Sequence, residues 1–162
     1  MFTLGILTCS DAGSKGMRED TSGMVIQELL TAPQYDTVRY DLVPDELDLI
    51  QNRLTEWCDS GDVDVIMTTG GTGLGVRDVT PEATVGIIER PVPGLPEAMR
   101  QSALKDTPFA MLSRGIAGVR GRTLVVNLPG SPKGVRQSLE VIIGVLPHAL
   151  ELIKDLADGH PQ

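Results

Sequence analysis

Val63-Asp64-Val65-Ile66-Met67-Thr68-Thr69-Gly70-Gly71-Thr72-Gly73 decides the fold, and Arg77-Asp78-Val79-Thr80-Pro81-Glu82-Ala83 completes it. Residues 63–67 form a short apolar run rich in β-branched side chains, which reads as a buried strand. It stops in two threonines and three closely spaced glycines. Glycines there let the backbone turn sharply and let a ligand reach N–H groups with no Cβ in the way. A helix start follows, with Thr80 expected as N-cap, Pro81 at the first helical position and Glu82 in the first turn. Strand, glycine loop, lone carboxylate and helix start suit an anionic ligand with a metal ion. Read alone, the glycines could equally serve a tight strand-to-helix connection; Asp78 and the two threonines favour the ligand.

Two nucleotide motifs are excluded. A Walker A loop requires a lysine after its last glycine, and none follows here. The dinucleotide fingerprint needs G-x-G-x-x-G after a first strand, but Gly71 and Gly73 are followed by Gly75, after what counts as the third strand.

Working outward, 2–8 (FTLGILT) reads as strand one and ends in the polar loop Cys9-Ser10-Asp11-Ala12-Gly13. Ser10 and Asp11 could contact a substrate or simply form the turn. Cys9 reads as a packing residue, since no histidine lies nearby to activate it. Asp20-Thr21-Ser22-Gly23 opens a helix with Val25, Ile26, Leu29 and Leu30 on one face. Residues 37–43 alternate like an edge strand. Asp45 then precedes an amphipathic helix through Leu47, Ile50, Leu54 and Trp57, and by spacing it is an N-cap. Pro96-Glu97 starts a further helix. Residues 109–112 read as a short strand ending in Ser113-Arg114, and 118–122 as a basic turn. The buried strand 123–128 ends in Pro129-Gly130-Ser131, and helices over 135–146 and 147–156 close the chain. Residues 1–157 read as one domain and 158–162 as a polar tail.

Alternating strands and helices predict an α/β fold, a mostly parallel sheet in three layers. Its loops would gather along one edge, and Lys15, Arg18, Arg77, Arg114, Lys133 and Arg136 lie in or beside them. A chain with formal net charge -8 would thus focus positive charge on one rim, as suits phosphorylated substrates. That overall charge argues against bulk binding to nucleic acid or an anionic membrane. With 3% aromatic residues the core must be aliphatic, with Trp57 its one large ring. No apolar run approaches the ~20 residues of a membrane span. The N-terminus lacks the basic region of a signal peptide, and Cys9 and Cys58 show no metal spacing, so a cytoplasmic enzyme is expected.

Thr68-Thr69-Gly70-Gly71-Thr72-Gly73, Arg77-Asp78-Val79-Thr80-Pro81-Glu82-Ala83, Leu112-Ser113-Arg114 and Asn127-Leu128-Pro129-Gly130-Ser131-Pro132 together resemble the molybdopterin adenylyltransferases of MogA/MoaB type. The resemblance runs over nearly the whole chain. It implies the molybdopterin-binding (MogA-like) fold and transfer of AMP from ATP to the terminal phosphate of molybdopterin, with Mg²⁺ and release of pyrophosphate. It also implies a homotrimer and a partner protein for molybdenum insertion. The family's two important carboxylates match Asp45 and Asp78, which revises the spacing-based reading of Asp45. By resemblance both are catalytic and metal-associated, and Asp45 could instead position the pterin phosphate. Gly70, Gly71, Thr72, Gly73, Ser113 and Arg114 would bind nucleotide and phosphate, and Ser10, Asp11, Pro129, Gly130 and Ser131 the pterin. A branch without transferase activity departs at the acidic positions and at the Asn-Leu-Pro-Gly loop; this chain keeps both. Cys9, and Gly115-Ile116-Ala117, are its minor departures. Two rivals remain: a non-catalytic molybdopterin-binding scaffold trimer, and a nucleotide-hydrolysing domain of competence-protein type. The apolar segment 91–99 is expected near a subunit contact.

Overall fold

A computed structural model describes residues 1–157; the expected polar tail, 158–162, lies outside the described residues. Strand β1 (Phe2–Cys9) leads through a single turn of helix, α1 (Asp11–Ser14), and α2 (Thr21–Leu29) to β2 (Tyr35–Val43). Then follow α3 (Leu47–Asp59), β3 (Val65–Thr69), α4 (Thr80–Val85), the two-residue strand β4 (Arg90–Pro91) and α5 (Gly94–Ala103). A 3₁₀ turn (Pro108–Leu112), β5 (Ala117–Arg120), β6 (Thr123–Leu128), α6 (Pro132–Ile142) and α7 (Leu146–Ala157) complete the order.

The six strands form one sheet in the order β2-β1-β3-β6-β5-β4. The first four are parallel, and β5 and β4 add an antiparallel margin. Strands β1, β3 and β6 are buried on both faces because helices cover each side, which explains why apolar residues predominate in them. One apolar layer joins Leu4, Ile6 and Met67 to α2, α6 and α7; the other joins Leu7 and Ile66 to α3, through Leu54 and Trp57, and to α4. The expected α/β fold in three layers is the observed one, and β2 is indeed an edge strand.

Four local expectations differ. Residues 109–112 are not a strand but a 3₁₀ turn started by Thr107, whose hydroxyl accepts from the Phe109 N–H at 3.3 Å. Phe109 and Met111 are exposed, so the apolar run is not a core segment. The expected basic turn is largely strand β5, paired with β6; Gly121, with φ of 56°, turns the chain between them. Arg120 is held by Asp59 and the Ile87 carbonyl, so its charge is not part of a loop. Thr80 is not the cap of α4 but its first residue, after Val79. Asp45 is not a cap either: Glu46 occupies that position and α3 has no side-chain cap.

Chain order places the site. From β1 the chain crosses to β2 and returns to β3 on the other side, opening a crevice at the carboxyl ends of β1 and β3. Such a switch point is where open parallel sheets bind ligands.

Candidate active site

Four parallel strands deliver their loops to one edge: Ser10-Asp11 after β1, Asp45 after β2, Gly70-Gly71 after β3 and Pro129-Gly130-Ser131 after β6. Side-chain hydrogen bonds fix each loop. Ser10 caps α1 by accepting from the Gly13 N–H, and Ser131 caps α6 by accepting from the Gly134 N–H, both at 3.0 Å. The Thr69 hydroxyl donates to the Pro129 carbonyl and the Ser22 hydroxyl to the Gly130 carbonyl, each at 2.6 Å. Asp11 and Asp45 exchange bonds: each backbone N–H donates to the other's carboxylate at 3.0 Å.

The glycines have a definite function. A methyl built on Gly70, whose φ is 96°, would meet the Cys9 carbonyl at 2.3 Å. On Gly71, with φ of 68°, it would meet Thr80 Oγ1 at 2.3 Å and Asp45 Oδ1 at 3.2 Å. On Gly73 and Gly75 it would meet Asp78 Oδ2 at 3.0 and 2.9 Å. The missing side chains therefore seat the two carboxylates against the loop. The Gly75 N–H donates to Asp78 Oδ2 at 2.9 Å. By contrast, the N–H groups of Gly71, Thr72 and Gly73 have no protein acceptor among the described residues. They remain for an anion.

The loop is a ridge between two cavities. One, of 440 Å³, lies at the β1/β3 switch point and is lined by Ser10, Arg18, Asp20, Asp45, Gly70 and Gly71. The other, of 380 Å³, is mainly apolar; Met99, Phe109, Leu112 and Ala103 line it with Thr72, Gly73, Ser113 and Lys133. The loop after β6 divides in the same way: Gly130 faces the first cavity, Pro129 the second, and Ser131 borders both. The two ligand sets implied by resemblance therefore do not coincide with the two cavities. Gly70 and Gly71 share one with Ser10 and Gly130, whereas Thr72, Gly73 and Ser113 share the other with Pro129.

Charge is used more internally than the rim pattern implied. Arg77 pairs with both oxygens of Asp11, at 3.0 and 2.8 Å. Arg114 donates to the Gly73 and Asp78 carbonyls at 2.7 Å and pairs with Glu82. Its guanidinium braces the glycine loop and the Asp78 turn, and it lines neither cavity. Arg136 pairs with Glu28. Lys15, Arg18 and Lys133 have no ion pair among the described residues. Burial holds the Asp45 carboxyl above the ordinary carboxylate range, and the charges of Asp11 and Asp78 push the same way. Arg77 holds Asp11 below that range. Burial pushes the Cys9 thiol up to about 12, which fits a packing residue and not a nucleophile.

Sequence reasoning assigned no individual role to two supports. Asn127 donates to Thr68 Oγ1 and Thr84 Oγ1 at 2.9 and 3.0 Å and accepts from the Ile116 N–H at 3.2 Å, tying β3, β6 and α4 together below the loop. Arg100 donates to the Gly115 carbonyl at 2.9 Å and steadies the Ser113 segment. A polar residue inside the apolar run 123–128 was the available signal for Asn127; nothing local marked Arg100.

A sequence model of one protein family, described as a probable molybdopterin binding domain, matches residues 5–148. The chain belongs to that family. Among relatives of this molybdopterin-binding family member, a Helicobacter pylori protein named molybdopterin adenylyltransferase is 44% identical over 93% of this chain and 86% of its own length. A crystal structure of the molybdopterin biosynthesis enzyme MoaB from Thermus thermophilus is 55% identical, with a TM-score of 0.89 over 94% of this chain and 96% of that one. A CinA protein from Thermoplasma acidophilum, covering 88% of this chain and 96% of its own, has a TM-score of 0.67 at 21% identity, a likeness of fold alone. That likeness extends to the architecture, while the family is that of the molybdopterin-binding domains.

Proposed function

We propose that this protein is a molybdopterin adenylyltransferase, transferring AMP from ATP to the terminal phosphate of molybdopterin. The observation that carries the reading is the ridge. Two cavities meet across Gly71-Thr72-Gly73, whose N–H groups lack protein acceptors, and Asp45 and Asp78 are seated against that same loop. A transferase that joins two phosphate-bearing substrates needs this: separate lodgings for two organic portions and one shared place for their phosphates.

In the reaction a terminal phosphate oxygen of molybdopterin attacks the α-phosphorus of ATP. The new phosphorus–oxygen bond forms as the bond to pyrophosphate breaks, and pyrophosphate leaves with its electron pair. The nucleophile is already ionised at neutral pH, so no general base is required. What the protein supplies is alignment and stabilisation of charge. The loop N–H groups bind phosphate oxygens, and Arg114 keeps the loop and the Asp78 turn in place. The apolar walls of Met99, Phe109 and Leu112 exclude water from one substrate's ring system.

The residues fit Mg²⁺. Asp45 Oδ1 is a buried carboxylate oxygen with no partner, and Asp78 lies close enough to raise the Asp45 proton affinity. Mg²⁺ takes one or two carboxylates and completes its shell with phosphate oxygens and water. When bound, the ion would neutralise phosphate charge as the bond changes hands.

Assembly as a homotrimer, a cytoplasmic location and hand-over to a molybdenum-insertion protein belong to the same proposal. The subunit contact expected at 91–99 belongs to it too: Val92 and Leu95 are only partly buried against the core, while Met99 is buried within it. Exposed Leu104 and Met111 offer further apolar surface. Incubating the protein with molybdopterin, ATP and Mg²⁺ should yield adenylylated pterin and pyrophosphate. Pterin binding without transfer would favour the scaffold reading.

A further inference from the structure

Beneath Gly71 two buried oxygens are left without partners. Thr80 is fully buried, and its hydroxyl makes no hydrogen bond of normal geometry; Asp45 Oδ1 is in the same condition. The Cys9 thiol lies near enough to feel the Thr80 hydroxyl, but sulfur is a weak partner and leaves the oxygen unsatisfied. Both oxygens face the point where a Gly71 side chain would be, at 2.3 and 3.2 Å. The rest of Thr80 is engaged. Its N–H donates to the Gly71 carbonyl at 3.2 Å and its carbonyl accepts from the Thr84 hydroxyl at 2.8 Å. The hydroxyl therefore contributes nothing to the helix start. A buried unpaired hydroxyl destabilises the fold, because it gives up water and gains no partner. Valine would fill the same volume without that penalty, so the fold by itself has no use for the oxygen.

We propose that Thr80 is a positioning residue for Asp45. Its hydroxyl donates to one ordered water that donates in turn to Asp45 Oδ1, while the Asp11 N–H holds Oδ2. With both oxygens fixed, the carboxylate keeps one orientation toward the ridge, and Gly71 is the gap that allows hydroxyl and carboxylate to approach the same point. Nothing in the reaction requires Thr80 to touch a substrate. This inference rests on the adenylyltransferase reading for its consequence in catalysis, though not for its geometry.

The test compares Thr80→Val and Thr80→Ser with the unaltered protein. Thr80→Val should keep or raise Tm, since an unpaired polar atom is removed, yet lower kcat for AMP transfer by about tenfold with KM for ATP unchanged. Thr80→Ser, which restores the hydroxyl, should recover most of that loss. Lower Tm with kcat intact would mean a structural residue and overturn the proposal, as would failure of serine to rescue. If Thr80→Val does not fold, Thr80→Ala takes its place in the same comparison with Thr80→Ser. Absence of transfer in the unaltered protein would overturn the functional reading alone. Crystal structures of the two apo proteins then decide: Asp45 turned away from the Asp11 amide in Thr80→Val only supports positioning, and identical Asp45 geometry in both refutes it.

Discussion

The two cavities flanking the glycine loop are built on different principles. The one at the β1/β3 crevice is made by strand ends, whose backbone is fixed by the sheet and by short side-chain bonds such as Ser22 to Gly130. The other is walled by α5, the 3₁₀ turn and α6, elements held by packing of side chains. The first offers carboxylates and backbone polar groups; the second offers apolar surface with Lys133 at hand. A site of the first kind suits charge that must be placed to a fraction of an ångström. The second suits a flat organic group, for which area matters more than direction.

If that division is right, damage on the ridge should cost turnover, and damage in the apolar cavity should cost affinity. The largest effect is expected at Asp78. Asp78→Asn keeps the size of the side chain and an acceptor for the Gly75 N–H, so molybdopterin binding should survive while AMP transfer falls by about a hundredfold or more. A fully active variant would remove the catalytic role assigned to this carboxylate.

Gly71→Ala comes next, measured by thermal unfolding. The positive φ and the contact with Thr80 Oγ1 together should cost about 2 kcal/mol or more, in contrast to Gly94→Ala, where nothing lies within 4 Å and no loss is expected. The methyl would press into the protein beside Asp45, so transfer should fall too. An alanine variant as stable as the original would break the idea that the glycines seat the carboxylates.

Lys133→Ala sharpens the comparison from the other cavity. Lys133 is exposed and has no ion pair among the described residues, so Tm should hold. Titration with ATP and with molybdopterin separately should show one affinity falling by about three- to tenfold at low salt, and that ligand is the occupant of the apolar cavity. Equal losses for both would mean that the cavities do not divide the substrates.

The smallest effect concerns Asp45 in the apo protein. Its proton affinity is raised by burial, so the folded state disfavours the charged form. The contribution of Asp45 to stability is fully present below its unfolded pKa, about 4, and is lost as pH rises through the higher folded value. Asp45→Asn should therefore have the higher Tm at neutral pH, with the gap closing as pH falls through the raised folded value and gone below about 4. A gap that widens on acidification would reverse the sign and contradict the burial cause.

Much of the fold was legible because its signals are local. Residues 65–67 and 124–126 are apolar throughout, since both sheet faces are covered, and Asp20 before Thr21 caps α2 as its residue type predicts. Residues 109–112 misled for a physical reason: an apolar tetrapeptide has no period long enough to distinguish strand from turn, and its burial depends on what packs beside it. Residues 118–122 failed likewise: Gly118-Val119-Arg120 is too short to show a strand period, although it pairs with β6 in a hairpin turning at Gly121-Arg122.

The sequence by itself determined the sheet, its helical cover and the glycine and carboxylate motifs at the strand ends, because propensity, periodicity and turn chemistry act within a few residues. Only the tertiary structure decided what those glycines are for. Gly71 lies beside Asp45 and Thr80, which are separated along the chain, and the strain of a left-handed turn is accepted there because close approach of side chains from three segments demands it. The division of one loop between two cavities is also tertiary. It arises where β3 and β6 end side by side and α5 closes over one side alone, a matter of distances between segments that no local pattern encodes.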